Sequence, residues 1–182
     1  SLVLRASGDG LQAGDSRAVF KNISVDMRQF KKLKMFLHAE SLPGEPDLAD
    51  NEMMGFIRFG NDLTENFYQV EIPLKVTAPG AALASFVWPT DNEIDLPLAL
   101  LTKIKILSKT QALNPGEIFF QNENELDPSR PAKLNIGVRG NPNFGLVRTL
   151  MVGIKNNKPV NPDPAINRIK GEVWFNELRL SE

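Results

Sequence analysis

Apolar and polar residues alternate with a period of two along most of this chain, and no other feature limits the fold as strongly. A strand that packs one face on a core has this period. From Val19 to Met27 the odd positions are mainly apolar, and Ile23 and Val25 belong to that set. In 33–40 the odd positions are again apolar, and His38 falls on the polar side. Both segments predict half-buried strands.

Further strands follow the same pattern. The stretch 55–74 predicts a hairpin, because two β-rich runs flank a turn at 60–62 whose Gly, Asn and Asp tolerate positive φ. Tyr68 in this hairpin and Trp174 in a later strand are expected on core faces. The remaining predicted strands are an N-terminal one that begins at 2–4, one at 132–138, a central covered one at 146–155, and one at 171–180.

One helix is predicted after Asp95, which is a good N-cap residue type, with Pro97 in the first turn. Its apolar stripe has helical spacing and consists of Leu100, Leu101, Ile104 and Leu107. About eight short strands and one helix indicate a mainly β fold, a two-sheet antiparallel β-sandwich of jelly-roll type with one inserted α-helix. We expect residues 1–182 to form a single domain that is a fragment of a larger protein.

Composition excludes several classes of function. The chain of 182 residues has no cysteine, which removes thiol catalysis, redox motifs and thiolate zinc sites. Its net charge is −1, without the basic stripe of a nucleic-acid binder. No apolar run approaches the roughly 20 residues of a membrane helix. We therefore expect no nucleic-acid partner and no direct membrane insertion. Protein, carbohydrate or another part of the same polypeptide remain as partners.

The sequence also lacks the motifs of hydrolases, metalloproteases and nucleotide-binding enzymes. The single histidine, His38, is interpreted as a solvated strand residue. Carboxylates occur before the helix at 91–95 and in the loop 121–131, where helix N-termini and soluble loops commonly carry acids. The prediction is a protein that is not an enzyme and needs no cofactor.

Calcium is the metal that deserves a test, because many β-sandwich modules bind it. Asp9 and Asp15 flank glycines in GDGLQAGD, without the spacing of an EF-hand loop. Asn176 shares a predicted strand face with apolar neighbours, so its amide needs a partner. It is interpreted as a weak metal candidate, a bulge, or a residue hydrogen-bonded to a neighbouring loop.

Several polar connections are candidates for recognition, because loops commonly carry binding residues. They are the hairpin turn, the segment before the helix, the segment GNPNFG and the proline- and asparagine-rich loop 156–168. Trp88 is also the one aromatic residue available to stack on a sugar. The candidate interaction residues are Asn61, Asp62, Trp88, Asn141, Asn143, Asn161 and Asp163.

Four segments in succession resemble one family. They are FIRFGNDLTENFYQVEIPLKVT, WPTDNEIDLPLALLTKIK, VRGNPNFGLVRTLMVGIKN and GEVWFNELRLSE, which span about residues 55–182. They are similar to the family's "E-x-P-L", "W-P-x-x-N", "G-N-P-x-x-G" and "E-V-W-x-N-E-L-R-L" patterns. The family is SprA, also called Sov, the gliding-motility and cell-surface translocon of the type IX secretion system in the outer membrane of Bacteroidetes.

The resemblance implies a soluble domain of a very large β-barrel protein that takes part in protein transport. Its expected partners are other segments of the translocon, its accessory proteins and secreted cargo. Its expected location is the cell outer membrane, with the extracellular face favoured over the periplasmic face, because barrel proteins carry their long insertions there. The alternative from the residues alone is a carbohydrate-binding jelly-roll module stabilised by calcium.

Overall fold

The computed structural model describes residues 2–77 and 89–182, so the candidate Trp88 lies outside the described residues. Strands dominate this part of the chain. Their bounds are β1 Leu2–Leu11, β2 Ser16–Val25, β3 Lys32–Glu40, β4 Met53–Gly60, β5 Phe67–Pro73, β6 Glu93–Pro97, β7 Phe119–Asn122, β8 Asn135–Arg139, β9 Val147–Asn156, β10 Ile169–Phe175 and β11 Arg179–Ser181.

The helices are α1 Leu98–Ser108 and the single turns α2 Glu123–Leu126 and α3 Pro164–Asn167. The predicted stripe of α1 is confirmed, because Leu100, Leu101 and Ile104 are buried. The predicted start at Asp95 is wrong. Asp95 belongs to β6, which pairs with β3, and α1 begins after Pro97. The first helical N–H, from Leu98, donates to the Lys31 carbonyl 2.8 Å away, so the adjacent chain, and not a side-chain cap, satisfies this first N–H group.

The strands of the described residues form two antiparallel sheets, which confirms the mainly β fold. The small sheet has the order β1-β10-β3-β11, with β6 also paired to β3, and the large sheet has the order β2-β9-β4-β5-β8-β7. Strands β1 to β4 alternate between the two sheets. The jelly-roll connectivity stays a prediction.

The core lies between the sheets and continues under α1. The odd residues of β3 are buried as expected, and Leu33 and Leu37 have no exposed surface. On the large sheet Ile57 and Ile72 face them, and Tyr68 is buried as predicted. The hairpin β4–β5 is confirmed, and β9 takes a central place between β2 and β4. Period-two alternation thus places most of the core residues correctly.

Strand β2 departs from its prediction. It is an edge strand, and most of its residues are exposed. Val19 retains 40% of its surface and Phe20 retains 67%. Ile23 and Val25 are only half-buried, and the buried Met27 lies beyond the end of the strand. The alternation is therefore present in β2, but the small sheet does not cover its apolar face within the described residues.

The last predicted strand is broken by a bulge. Phe175 pairs with Leu37, whereas Arg179 pairs with Lys34, so three residues lie opposite two between these pairs. One extra residue reverses the face on which the following side chains lie. The core face before the bulge is therefore that of Val173 and Phe175, and the prediction for Trp174 was wrong.

Trp174 points to the outer face of the small sheet, where it is opposite His38. Their ring centroids are 4.8 Å apart. His38 lies on the predicted polar face, but it is only 2% exposed, so its interpretation as a solvated residue was wrong. Its Nε2 is 3.1 Å from a carboxylate oxygen of Glu40. The aromatic neighbour across the strand contributes to this burial, and spacing along one strand cannot reveal such a neighbour.

Candidate functional site

Two of the predicted recognition loops lie side by side at one end of the sandwich. We call residues 60–66 and 140–146 together the paired-loop platform. Asn61 donates from Nδ2 to the Leu146 carbonyl at 2.8 Å and accepts the Asn143 N–H at 2.8 Å. The Asn141 N–H donates to the Asn66 side-chain oxygen at 3.0 Å. The structure therefore brings together four predicted residues from segments about 80 positions apart.

Asp62 organises the hairpin side of the platform. One of its carboxylate oxygens accepts the N–H groups of Thr64, Glu65 and Asn66 at 3.0, 2.6 and 2.8 Å. The other oxygen accepts the Asn66 side-chain amide at 3.0 Å. Burial would raise the pKa of Asp62, but the hydrogen bonds from Glu65, Asn66 and Thr64 outweigh burial and lower the pKa to about 2. Asp62 is thus a charged acceptor that holds the turn closed.

Glycines allow the two loops to approach each other. Gly140 has a φ of +68°, which L side chains rarely adopt. A Cβ atom there would lie 2.1 Å from the Glu65 carbonyl oxygen. At Gly60 a Cβ would lie 2.4 Å from the Asn66 carbonyl oxygen. Gly140 is therefore required for the close approach of the two loops, and Gly60 for the close approach of the two ends of the hairpin turn.

The platform is also attached to the body of the domain. The Phe144 ring packs on Tyr68 with 5.3 Å between centroids, and burial raises the pKa of that tyrosine. The Met27 N–H donates to the Phe144 carbonyl at 2.8 Å, and Lys105 of α1 donates to the Pro142 carbonyl at 2.6 Å. Its exposed parts include Leu146, which retains 43% of its surface. A preformed surface of this kind can contact another protein without ordering a loop on binding.

The loop 156–168 is held by asparagine side chains. Asn156, which is 1% exposed, donates from Nδ2 to the carbonyls of Leu11 and Asn167 at 2.8 and 2.5 Å. Asn167 exchanges two hydrogen bonds with the Asn161 backbone at 2.6 and 2.7 Å. Asp163 accepts the Ala165 N–H at 3.1 Å and caps α3. The predicted residues Asn161 and Asp163 therefore shape this loop, and their role in recognition stays a prediction.

The metal candidates do not come together. No group of three histidine or acidic side chains within 2–77 and 89–182 has the arrangement of a metal site. Asp9 and Asp15 lie in the exposed region where β1 turns into β2. Asn176 lies in the bulge, where its N–H donates to the Phe36 carbonyl at 3.0 Å and its side chain accepts the next N–H at 2.8 Å. Of the interpretations given for Asn176, the bulge fits these contacts.

Several acidic residues near α1 and α2 have structural partners. Asp95 and Glu93 face Lys34 at 3.9 Å on the small sheet. Glu123 is fully buried, pairs with Arg130 at 3.0 Å, and accepts the Leu134 N–H at 2.6 Å. These groups hold the segment that joins β7 to β8 against the rest of the domain. Their ion pairs and hydrogen bonds account for their positions without a reaction.

Sequence reasoning missed the role of Asn92. This residue is fully buried, and its side chain makes two 2.8 Å hydrogen bonds with the backbone N–H and carbonyl of Lys75. It thereby fastens the start of β6 to the segment that follows β5. The sequence pointed to Asn92 only through the segment WPTDN, which resembles the family pattern W-P-x-x-N.

A second polar surface surrounds Trp174 on the outer face of the small sheet. The half-buried indole donates to Glu172 at 3.1 Å, and the same carboxylate accepts two bonds from Arg5 at 3.0 and 2.8 Å. With His38 and Glu40 these residues form a row of polar groups beside an aromatic ring. Arg5, whose side chain is 60% exposed, can hydrogen-bond a polar ligand here, and the ring offers a face for stacking.

Comparison with known proteins identifies the family. Within the described parts of the chain no helix has both the length and the apolar character needed to cross a membrane. A search of curated proteins found no match. The family model SprA_N, described as motility related/secretion protein, matches residues 1–182. The whole chain therefore belongs to the SprA_N family of motility-related and secretion proteins.

Proposed function

We propose that this chain is a non-catalytic structural and protein-interaction domain of an outer-membrane translocon, that of type IX secretion and gliding motility in Bacteroidetes. The family assignment supports a role in motility and secretion. The four family-like segments support the finer assignment to the translocon. Its proposed partners are other segments of that translocon, its accessory proteins and secreted cargo. The proposed location is the outer membrane, with the domain at the extracellular face.

The observation that carries the interaction role is the paired-loop platform. The side chains of Asn61, Asp62 and Asn66 bond to backbone groups of the two loops, so the loops keep one shape. Such a surface binds by complementarity of shape and does not need a reactive group. The non-catalytic assignment agrees with the contacts of Glu123, which pairs with Arg130, and of His38, which packs on Trp174 beside Glu40.

Two experiments test this function. Fractionated source cells are probed with antibody against the domain, and the expected signal is a very large band in the outer-membrane fraction. A soluble band near 20.2 kDa, the mass of this chain, would contradict the translocon assignment.

In the second experiment residues 1–182 are deleted from the parent protein, and cargo in the medium is measured. Normal secretion by a stable deletion protein would refute the role in transport.

The platform is tested by a substitution that keeps its internal bonds. Leu146→Arg adds bulk and charge at an exposed side chain, whereas the Leu146 carbonyl remains available to Asn61. Leu113→Arg, at another exposed leucine outside the platform, is the control. We expect reduced secretion only for Leu146→Arg, at equal amounts of parent protein. Equal secretion by both variants would show that the platform is not a contact surface.

A second candidate is carbohydrate binding, which the outward position of Trp174 favours. Its half-exposed ring lies beside Arg5, Glu172 and Glu40, and sugar-binding proteins use aromatic rings with polar neighbours of this kind. A glycan array with the wild type and Trp174→Ala tests this candidate. Binding that is lost in the variant would support it. Unfolding temperatures in millimolar calcium and in chelator test the calcium part, because a ligand selective for the native state raises them.

A further inference from the structure

The loop 156–168 has the reverse of the usual polarity of a folded chain. We call these residues the asparagine loop. Two of its amide side chains lie inside, because Asn156 retains 1% of its surface and Asn167 retains 7%. Its aliphatic side chains lie outside, because Val160 retains 82% and Ile166 retains 51%. A buried polar group is the informative exception to the usual burial of apolar residues, so this arrangement calls for an explanation.

Side-chain hydrogen bonds fix the base of the asparagine loop. Asn156 donates from Nδ2 to the carbonyls of Leu11 and Asn167 at 2.8 and 2.5 Å. Its Oδ1 accepts the Lys158 N–H at 2.9 Å. The buried amide is therefore fully paired, as buried polar groups usually are. These bonds attach both ends of the loop to the last residue of β1.

A second set of hydrogen bonds closes the tip of the loop. Asn167 accepts the Asn161 N–H at 2.6 Å and donates from Nδ2 to the Asn161 carbonyl at 2.7 Å. The Asn161 side chain in turn accepts the Asp163 N–H at 2.9 Å. Val160 and Ile166 directly precede the two residues that are joined in this way. The bonds of Asn167 therefore bring together the chain segments that carry the two exposed aliphatic residues.

The asparagine loop thus presents two aliphatic side chains on a fixed backbone. Three prolines, at positions 159, 162 and 164, restrict its φ angles further. A preformed loop loses little conformational entropy when it binds. Burial of Val160 and Ile166 in a partner would remove their apolar surface from water, and little of that gain would be spent on ordering the loop.

The neighbouring charges distinguish between kinds of partner. Asp163 is exposed in the same loop, so insertion of the tip into lipid would bury a carboxylate at a high cost, whereas at the rim of a protein pocket it stays in water. The loop carries no aromatic ring on which a sugar could stack. Lys158 pairs with Glu52 at 3.4 Å. Arg168 is exposed and forms none of the ion pairs in the described parts of the chain, so an acidic group of a partner can pair with it.

We propose that Val160 and Ile166 are the contact residues of the asparagine loop, and that they bind an apolar pocket of a partner protein that has an acidic group beside Arg168. The asparagines and Asp163 hold the loop in shape for this contact. This inference rests on the proposed interaction function and adds a second surface to it. Strand β9 begins directly after the paired-loop platform and ends at the asparagine loop, so the two surfaces lie at opposite ends of that ten-residue strand.

The test places a photoreactive amino acid at position 160 of the parent protein in the source cells. The control carries the same amino acid at position 106, because Ile106 is 60% exposed on α1 and lies outside the loop. We expect a crosslinked partner protein for position 160 only. No crosslinked protein at position 160, or equal yields at the two positions, would overturn the proposal.

Further substitutions separate a specific contact from chance proximity. Ile166→Asp keeps the photoreactive group at position 160 but removes the second aliphatic side chain, and it should lower the crosslink yield about tenfold. Arg168→Glu should also lower the yield, because like charges would then face each other. Leu113→Asp, at an exposed leucine outside the loop, is the control and should leave the yield unchanged. An unchanged yield with Ile166→Asp would overturn the proposal, and an unchanged yield with Arg168→Glu would overturn the acidic group of the partner.

Unfolding of the purified 182-residue chain tests whether these side chains serve contact or packing. Ile166→Asp should shift the unfolding temperature by under about 2 °C, because Ile166 is half-exposed. Asn167→Ala should lower it by more, because it leaves the Asn161 backbone groups without their partner. A larger decrease for Ile166→Asp than for Asn167→Ala would show that Ile166 serves packing and would overturn its role as a contact residue.

The captured molecule identifies the occupant. Capture of lipid alone, or of a second copy of the parent protein, would overturn the choice of partner. The deletion experiment on secretion is independent of these measurements. Loss of secretion on deletion, with no capture at position 160, would refute the asparagine loop alone. Capture that depends on Ile166, with normal secretion on deletion, would refute the role in transport alone.

Discussion

The hydrogen bonds around Asp62 lead to a prediction about pH and stability. The substitution Asp62→Asn keeps one carbonyl oxygen for the backbone N–H groups but removes the negative charge. It also replaces the oxygen that accepts from Asn66 with an amide donor. We expect the variant to be less stable at neutral pH and to have a less rigid turn.

The size of the effect follows from the pKa. The pKa of Asp62 falls from 3.8 to about 2 in the folded chain. Each pKa unit corresponds to about 1.4 kcal/mol, so the full shift sets an upper limit of roughly 2.5 kcal/mol. The carboxylate is partly exposed, and solvent screening reduces this to about 1–2 kcal/mol. Because the folded pKa is the lower one, the stabilisation is complete above pH 3.8 and is lost as the pH falls toward 2.

The assay is urea unfolding of wild type and Asp62→Asn at pH values from 7 down to 2. The difference in free energy of unfolding should be present at pH 7 and shrink between about pH 4 and 2. The control is Asp163→Asn, because that carboxylate accepts one N–H as an N-cap, a position where asparagine is equally good. A difference that stays constant down to pH 2, or is missing at pH 7, would refute the role given to the charge of Asp62.

Three further substitutions test other contacts by urea or thermal unfolding. Asn92→Ala removes the buried partner of two Lys75 backbone groups and should lower the free energy of unfolding by about 2–4 kcal/mol, whereas the exposed Asn124→Ala should lower it by under about 1 kcal/mol; equal losses would contradict the fastening role. Gly140→Ala should destabilise the chain more than Gly44→Ala, since both have positive φ but only the first would place a Cβ against a backbone oxygen. Glu123→Gln should lower the free energy of unfolding by about 3–5 kcal/mol, because Arg130 loses its buried counter-charge. A decrease below about 1 kcal/mol would count against that ion pair.

Local patterns predicted much of the fold because strands and helices repeat within a few residues. The alternation in β3 identified Leu33 and Leu37 as core residues, and the spacing in α1 identified Leu101 and Ile104. The bulge at Asn176 could not be predicted in the same way. One added residue changes the face of every later side chain, so a single period through 171–180 placed Trp174 on the wrong side.

The candidate surfaces were predicted only in part. Turn residue types indicated that 60–62 and 140–145 are loops, and the structure confirms both as connections between strands. Nothing in either segment shows that Asn61 bonds to Asn143, because that contact depends on β5 pairing with β8. The same holds for the open apolar face of β2, since alternation shows which face is apolar and only the sheet order shows what covers it.

The bulge at Asn176 has a mechanical consequence for the end of the chain. The last strand has its core face on odd residues before the bulge and on even residues after it, with Phe175 and Leu180 as the two inward anchors. A slide of one residue along β3 would turn both anchors outward, and a slide of two would move the bulge away from the Phe36 carbonyl that holds it. The strand therefore has only its native register on β3 and no neighbouring register into which it could shift. Force applied at its C-terminal end would have to break the native pairing with β3.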